Sequence, residues 1–113
     1  MTNSKPPVLV VGASGTLGRQ LLIDMPHAVG TTRSDSARNL KMEITDEDQV
    51  HRVIGDVRPS CVINTAAMTS VDGCERDPAT AQKVHVDGTR HLVRACEAHG
   101  ARLIHLSTNY VFD

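Results

Sequence analysis

The sequence predicts an α/β chain built on a doubly wound parallel sheet of about five strands, and three observations predict it. Short apolar runs alternate with helical patterns along the 113 residues, as expected for parallel strands, which are covered on both faces and read as continuous apolar stretches. A glycine trio, Gly12, Gly15 and Gly18, stands where the first apolar run turns into the first helical pattern. A second turn of small residues, 64–69, follows the fourth apolar run. With right-handed crossovers the expected strand order is 3-2-1-4-5, which reverses between the first and fourth strands. Both turns then lie at the carboxyl ends of those strands, where sheets of this kind bind ligands.

The first strand is Val8–Val11. After it, Gly12 permits a tight turn, Gly15 lets a phosphate approach the backbone with no Cβ in the way, and Gly18 lets helix and strand pack closely. The free N–H groups and positive dipole end of the helix face an anion, which points to a nucleotide pyrophosphate. No Gly-Lys-Ser/Thr closes the turn, so it is not a Walker loop. Turns collect glycine for other reasons as well; the trio gains weight from its coincidence with the turn after the fourth strand. The first helix is expected from about Gly15 to Asp24, stopped by Pro26, with a second strand over 28–32 and a third over 40–44.

Thr45, Asp46, Glu47 and Asp48 supply an N-cap and an acidic first turn for a second helix with Val50, Val53, Ile54 and Val57 on one face, ended by Pro59. Cys61–Asn64 reads as the fourth strand. Asp77 and Pro78 form an N-cap and N1 pair for a long helix striped with Ala81, Val84, Gly88, Leu92, Ala95 and Cys96, with Gly100 as its C′ residue. Residues 102–107 are the fifth strand. Residues 1–7 read as a disordered tail, and 8–113 as one incomplete NAD(P)-binding Rossmann domain.

Composition excludes several other readings. A net charge of −1 with interspersed signs leaves no footprint for nucleic acid or an anionic membrane. No apolar stretch approaches the roughly 18 residues of a membrane span, and the first seven residues lack the apolar centre of a signal peptide, so a cytoplasmic protein is expected. Cys61, Cys74 and Cys96 show no Cys-x-x-Cys spacing, and the six histidines include no HExxH, so neither a disulfide framework nor a metal site is signalled. With Tyr110 and Phe112 as the only aromatics, the core is aliphatic.

Three segments carry a resemblance. They are Gly12–Gly18, then 64–75 (Asn-Thr-Ala-Ala-Met-Thr-Ser-Val-Asp-Gly-Cys-Glu), then 107–113 (Ser-Thr-Asn-Tyr-Val-Phe-Asp). In order and spacing the chain resembles the extended short-chain dehydrogenase/reductases, most closely the dTDP-4-dehydrorhamnose reductase group, from Val8 to Asp113. The resemblance implies that Gly15, Thr16 and Leu17 contact a pyrophosphate, that Glu43 and Ile44 flank the adenine, and that Ala66, Ala67, Met68 and Thr69 line the nicotinamide side. It implies that Thr108 is the hydroxyl that bonds the reacting carbonyl, with Asn109 and Tyr110 near a sugar nucleotide. A strand-end hydroxyl bonding its own loop is the other reading of Thr108. For Asp72 and Glu75, helix caps or a solvated face remain the plainer reading. Asn109 in place of the group's Asp removes a negative charge beside the substrate. His85 in place of Asn and Glu43 in place of Asp are milder departures.

The group's Tyr-x-x-x-Lys pair, which supplies the proton donor and the lysine that lowers its pKa, occurs nowhere in these residues; the chain ends five residues after Thr108. The expectation is a fragment that stops before the substrate region and is inactive alone. For the cofactor, the end of the second strand carries Thr31, Thr32 and Arg33 where NAD-specific sites place a carboxylate, so a guanidinium suited to a 2′-phosphate favours NADP(H) over NAD(H), with Asp35 as the residue that could reverse this. The implied chemistry is hydride transfer from NADPH to a 4-keto sugar nucleotide in deoxysugar biosynthesis. Alternatives are a non-catalytic NADP-binding regulatory subunit resembling the methionine adenosyltransferase beta subunit, or another extended-family reductase or epimerase. The uncovered edge of the fifth strand also suggests self-association or a homodimer.

Overall fold

Four consecutive apolar residues form the central strand β1 (Val8–Val11) in a computed structural model of the chain, which describes residues 6–33, 38–65 and 78–106, the side chains of 78–85 excepted. The other elements are α1 (Thr16–Asp24), β2 (Val29–Thr32), β3 (Leu40–Lys41), α2 (Glu47–Val57), β4 (Cys61–Asn64), α3 (Pro78–His99) and β5 (Arg102–His105). All neighbouring strands pair parallel, in the order β3-β2-β1-β4-β5. The predicted reversal between β1 and β4 is therefore present, with Val11 in register with Asn64.

Side chains alternate across the sheet. Leu9 and Val11 point into a core shared with Met42, Ile44, Val62, the α2 residues Val50 and Ile54, and the α3 residues Leu92, Ala95 and Cys96. The opposite face lies under α1, where Gly30 approaches Ala13 and Leu22 so closely that an added Cβ would stand 2.7 and 2.8 Å from them. Helices thus cover both faces, and the continuous apolar character of β1 follows. Burial pushes the Cys96 thiol up to about 11, with Cys61 adding to the effect, so this cysteine is a neutral core residue.

Cap chemistry sets the helix ends. The Asp46 carboxylate accepts from the N–H groups of Asp48 and Gln49 and opens α2. Arg58 closes it in the left-handed region at φ 52°, ahead of buried Pro59. Gly100, at φ 73°, follows α3 as the C′ residue, and Ala101 N–H returns to Cys96 O. On α3 the stripe from Gly88 to Cys96 is buried as expected; the side chains of Ala81 and Val84, and Asp77, lie outside what is described.

Three boundaries differ from the sequence reading. The third strand stops at Lys41 instead of Ile44, because Glu43 N–H turns to the Gln49 side chain and Glu43 O accepts from Asp46 N, a turn that buries Ile44 in the core. Ala28 precedes β2 instead of belonging to it, its N–H bonded back to Met25 O. The fifth strand is assigned to His105, although Leu106 N–H still pairs with Asn64 O. Pro7, counted with the tail, accepts a hydrogen bond from Ser60 N. No helix among the described residues is long and apolar enough to cross a membrane.

Thr31 is completely buried in β2, and its hydroxyl has no hydrogen-bond partner among the described residues. An orphaned buried hydroxyl costs about 1–3 kcal/mol. Thr31→Val is therefore expected to raise the melting temperature by about 4 °C or more; a calorimetric melt that stays level or falls would contradict it.

Candidate functional site

The carboxyl ends of β1 and β4 meet through Thr65. Its N–H and its hydroxyl both donate to Val11 O, at 2.9 and 2.7 Å, and the hydroxyl also reaches Gly12 O at 3.2 Å. This ties the turn after β4 to the glycine turn. Gly12 adopts φ 87°, the left-handed conformation that favours glycine. The N–H groups of Gly12 and Ala13 are both taken by Thr31 O, and Gly15 N–H by Gly12 O. The turn is thus closed internally before α1 begins.

Gly15 is the N-cap of α1 and supplies no side-chain cap. The first-turn N–H groups of Thr16, Leu17 and Gly18 have no intrahelical acceptor, which leaves them for an outside anion. The contrast with α2, whose first turn is capped by Asp46, is internal to this chain. Gly18 is buried against the turn: a Cβ there would overlap Gly12 O and lie 2.9 Å from Ala13 Cα. The separate roles read from the trio in the sequence, turn at Gly12 and close packing at Gly18, match these positions.

The second half of the site is the loop after β3. Glu43 extends its carboxylate to Arg33 at the end of β2, Nε to Oε1 3.1 Å. Glu43 Oε2 accepts from Thr45 N at 3.4 Å, and Glu43 N donates to Gln49 Oε1 at 3.0 Å. Gln49 is itself held by Asp46 Oδ2 at 3.1 Å, so the α2 cap positions this loop. From α3, His91 Nδ1 donates to Ile44 O at 2.7 Å, which places the ring proton on Nδ1 because a carbonyl can only accept. Gly88 lets α3 come down on Ile44, whose Cγ1 would lie 2.7 Å from an added Cβ.

Sequence-predicted residues divide accordingly. Gly12, Gly15, Thr16, Leu17 and Gly18 gather at the mouth of β1, and Arg33 and Glu43 come together at the ends of β2 and β3. Ile44, expected beside a ligand, is a core residue only 8% exposed, and what it offers locally is its carbonyl. Arg33 is paired with a carboxylate, which the sequence reading had not placed beside it. Ala66, Ala67, Met68, Thr69, Thr108, Asn109 and Tyr110, together with Asp35, Asp72, Glu75 and His85, fall outside the described residues or side chains.

Four residues make positioning contacts that carried no sequence signal, although Asn64 and Thr65 open the small-residue turn read after the fourth strand: Thr65, His91, Asn64 and His105. The last two join β4 to β5, with Asn64 Nδ2 3.1 Å from His105 Nδ1. Their partners are 41 to 54 residues away in the chain, beyond the reach of any local pattern.

Comparison with known proteins agrees with this architecture. The chain is 44% identical over 110 residues to a dTDP-4-dehydrorhamnose reductase of Streptomyces griseus, covering 96% of this chain and 35% of that one. It is 35% identical over 111 residues to methionine adenosyltransferase 2 subunit beta of Pongo abelii, covering 94% and 33%. A crystal structure of the dTDP-4-dehydrorhamnose reductase of Bacillus anthracis, in complex with NADP, superposes with a TM-score of 0.75 at 30% identity, over 99% of this chain and 39% of that one. The chain therefore spans about a third of the length of the curated relatives it matches. The family model described as the RmlD substrate binding domain matches residues 6–113, and with that match over nearly its whole length the chain belongs to this family.

Proposed function

We propose that these residues form the NADPH-binding part of a reductase that transfers hydride to a 4-keto sugar nucleotide of the dTDP-4-dehydrorhamnose class. The observation that carries the reading is the uncapped amino end of α1, set by the Gly12–Gly18 turn at the point where strand order reverses. A dinucleotide pyrophosphate would take the N–H groups of Thr16, Leu17 and Gly18, with Gly15 giving it room. When bound, the nicotinamide supplies the hydride. On the protein side, Ala66, Ala67, Met68 and Thr69 would border the nicotinamide, Thr108 would hold the carbonyl oxygen, and Asn109 and Tyr110 would meet the sugar nucleotide. Arg33 favours NADPH over NADH by offering donors to a 2′-phosphate.

A non-catalytic reading has its own support in the identity to the methionine adenosyltransferase beta subunit. The two readings share cofactor binding and differ in turnover. The 113 residues contain no Tyr-x-x-x-Lys, and an aliphatic hydroxyl such as that of Thr108 is a poor acid. General acid catalysis contributes about 10²–10⁴-fold, and substrate positioning about 7–11 kcal/mol. The expected result is NADPH binding by calorimetry with no loss of NADPH absorbance on addition of a dTDP-4-keto-6-deoxysugar. Turnover by these residues alone would overturn the assignment of protonation to a tyrosine-lysine pair, and absence of any nucleotide binding would overturn the site. Sedimentation of the same sample reads whether copies pair through β5, whose Ile104 is 41% exposed on an outer strand.

A further inference from the structure

We propose that His105 is a positioning residue for the turn after β4, acting through Asn64, and that it does so as a hydrogen-bond acceptor. The inference rests on the dinucleotide reading of the site and deepens it. Asn64 ends β4, is only 1% exposed, and stands in register with Val11 of β1 on one side and His105 of β5 on the other. A side-chain amide buried this deeply needs partners for its polar atoms. Its Nδ2 lies 3.1 Å from His105 Nδ1. An amide nitrogen carries hydrogens and offers no lone pair, so it donates, and Nδ1 must accept with the ring proton on Nε2. His91 holds the opposite tautomer, since its Nδ1 donates to Ile44 O. The two rings are therefore not equivalent: position 91 needs a donor and position 105 an acceptor.

The bond sits where the two halves of the reacting site diverge. On its β1 side the turn after β4 is held by Thr65, which gives its N–H to Val11 O and its hydroxyl to Val11 O and Gly12 O. On its β5 side it is held by Asn64, whose carbonyl accepts Leu106 N–H and whose side chain donates to His105. Residues 66–69 follow the first of these strands and Thr108 the second, and in the proposed function they meet the nicotinamide and the carbonyl. The Asn64–His105 bond is thus a side-chain tie between the strand that leads to the hydride source and the strand that leads to its acceptor. Without an acceptor at 105 the buried amide must leave its place or take an acceptor from the turn itself. Either course loosens the carboxyl end of β4.

Two measurements on the 113-residue chain test the assignment. Calorimetric titration of NADPH compares the parent with His105→Gln, whose side-chain carbonyl can accept, and with His105→Leu, which cannot. His105→Leu is expected to raise the NADPH dissociation constant about tenfold or more, because apparent affinity falls with the fraction of molecules whose turn is in place. His105→Gln should stay within about threefold of the parent. Equal affinities for the parent and His105→Leu overturn the proposal and leave the dinucleotide site standing. A His105→Gln variant as weak as His105→Leu also overturns it, since the ring would then matter for its packing and not as an acceptor. Nitrogen NMR of the parent chain reads the tautomer directly. The expected pattern for His105 is a protonated Nε2 and an unprotonated Nδ1, and the reverse overturns the proposal whatever the variants do. Should His105→Leu fail to melt cooperatively, His105→Gln and the tautomer decide by the same outcomes. A parent chain that binds no NADPH overturns the proposal together with the site.

Discussion

Gly18→Ala is expected to remove at least about 3 kcal/mol of stability, a large share of the about 5–15 kcal/mol that holds a small domain together. The single added carbon would overlap the carbonyl oxygen of Gly12 and stand 2.9 Å from Ala13 Cα. Both are backbone atoms, so no side chain can swing aside. Gly12 O is further pinned by Gly15 N at 3.1 Å and by the Thr65 hydroxyl at 3.2 Å. Relief would mean moving α1 off β1, or breaking the turn and its tie to β4. A melt followed by circular dichroism should fall by about 10 °C or more. A shift of only a few degrees would show that helix and strand can separate at little cost, against the packing described.

Gly15→Val should have the opposite profile, leaving the fold and abolishing the binding. Gly15 lies at φ −79° and ψ 170°, extended backbone that valine adopts readily, and it makes no side-chain cap that could be lost. The stability cost of valine at an N-cap is about 1 kcal/mol. Its two methyl groups, however, would stand where the N–H groups of Thr16, Leu17 and Gly18 open, displacing a pyrophosphate from the distance those donors need. The expected loss in NADPH affinity is about 100-fold or more, roughly 2.7 kcal/mol. Titration calorimetry beside a melting curve reads both quantities. Equal affinities for the parent chain and Gly15→Val would remove Gly15 from the site, and a collapse of the melt would mean that its glycine serves the fold instead.

The contrast between these two glycines shows how far the sequence could be read. Strands β1 and β4, both ends of α2, the buried stripe of α3 and the strand order were legible because each rests on local chemistry: an unbroken apolar run, an aspartate ahead of a helix, a glycine after one. Parallel order followed from alternation and the handedness of crossovers. The glycine trio was legible as a turn for the same reason, with Gly12 making the bend and Gly18 the close packing. The short reach of β3 was not, because Glu43 and Ile44 are drawn out of the strand by Gln49 from α2 and by packing beneath α3, and neither influence is visible in residues 40–44 alone.

Which groups face one another was settled only by the tertiary structure. Arg33 stood in the sequence as a lone cation at the end of a strand. The sheet brings Glu43, ten residues on, within 3.1 Å of it, turning that cation into one half of an ion pair. Thr65 and Gly12 are joined across 53 residues, and Asn64 and His105 across 41, by the pairing of β1, β4 and β5. Local propensity and periodicity act over a few residues and so determined the elements and the turn that could receive a pyrophosphate. The electrostatic character of the site depends on distances of a few ångströms between residues far apart in the chain, and only the folded sheet sets those distances.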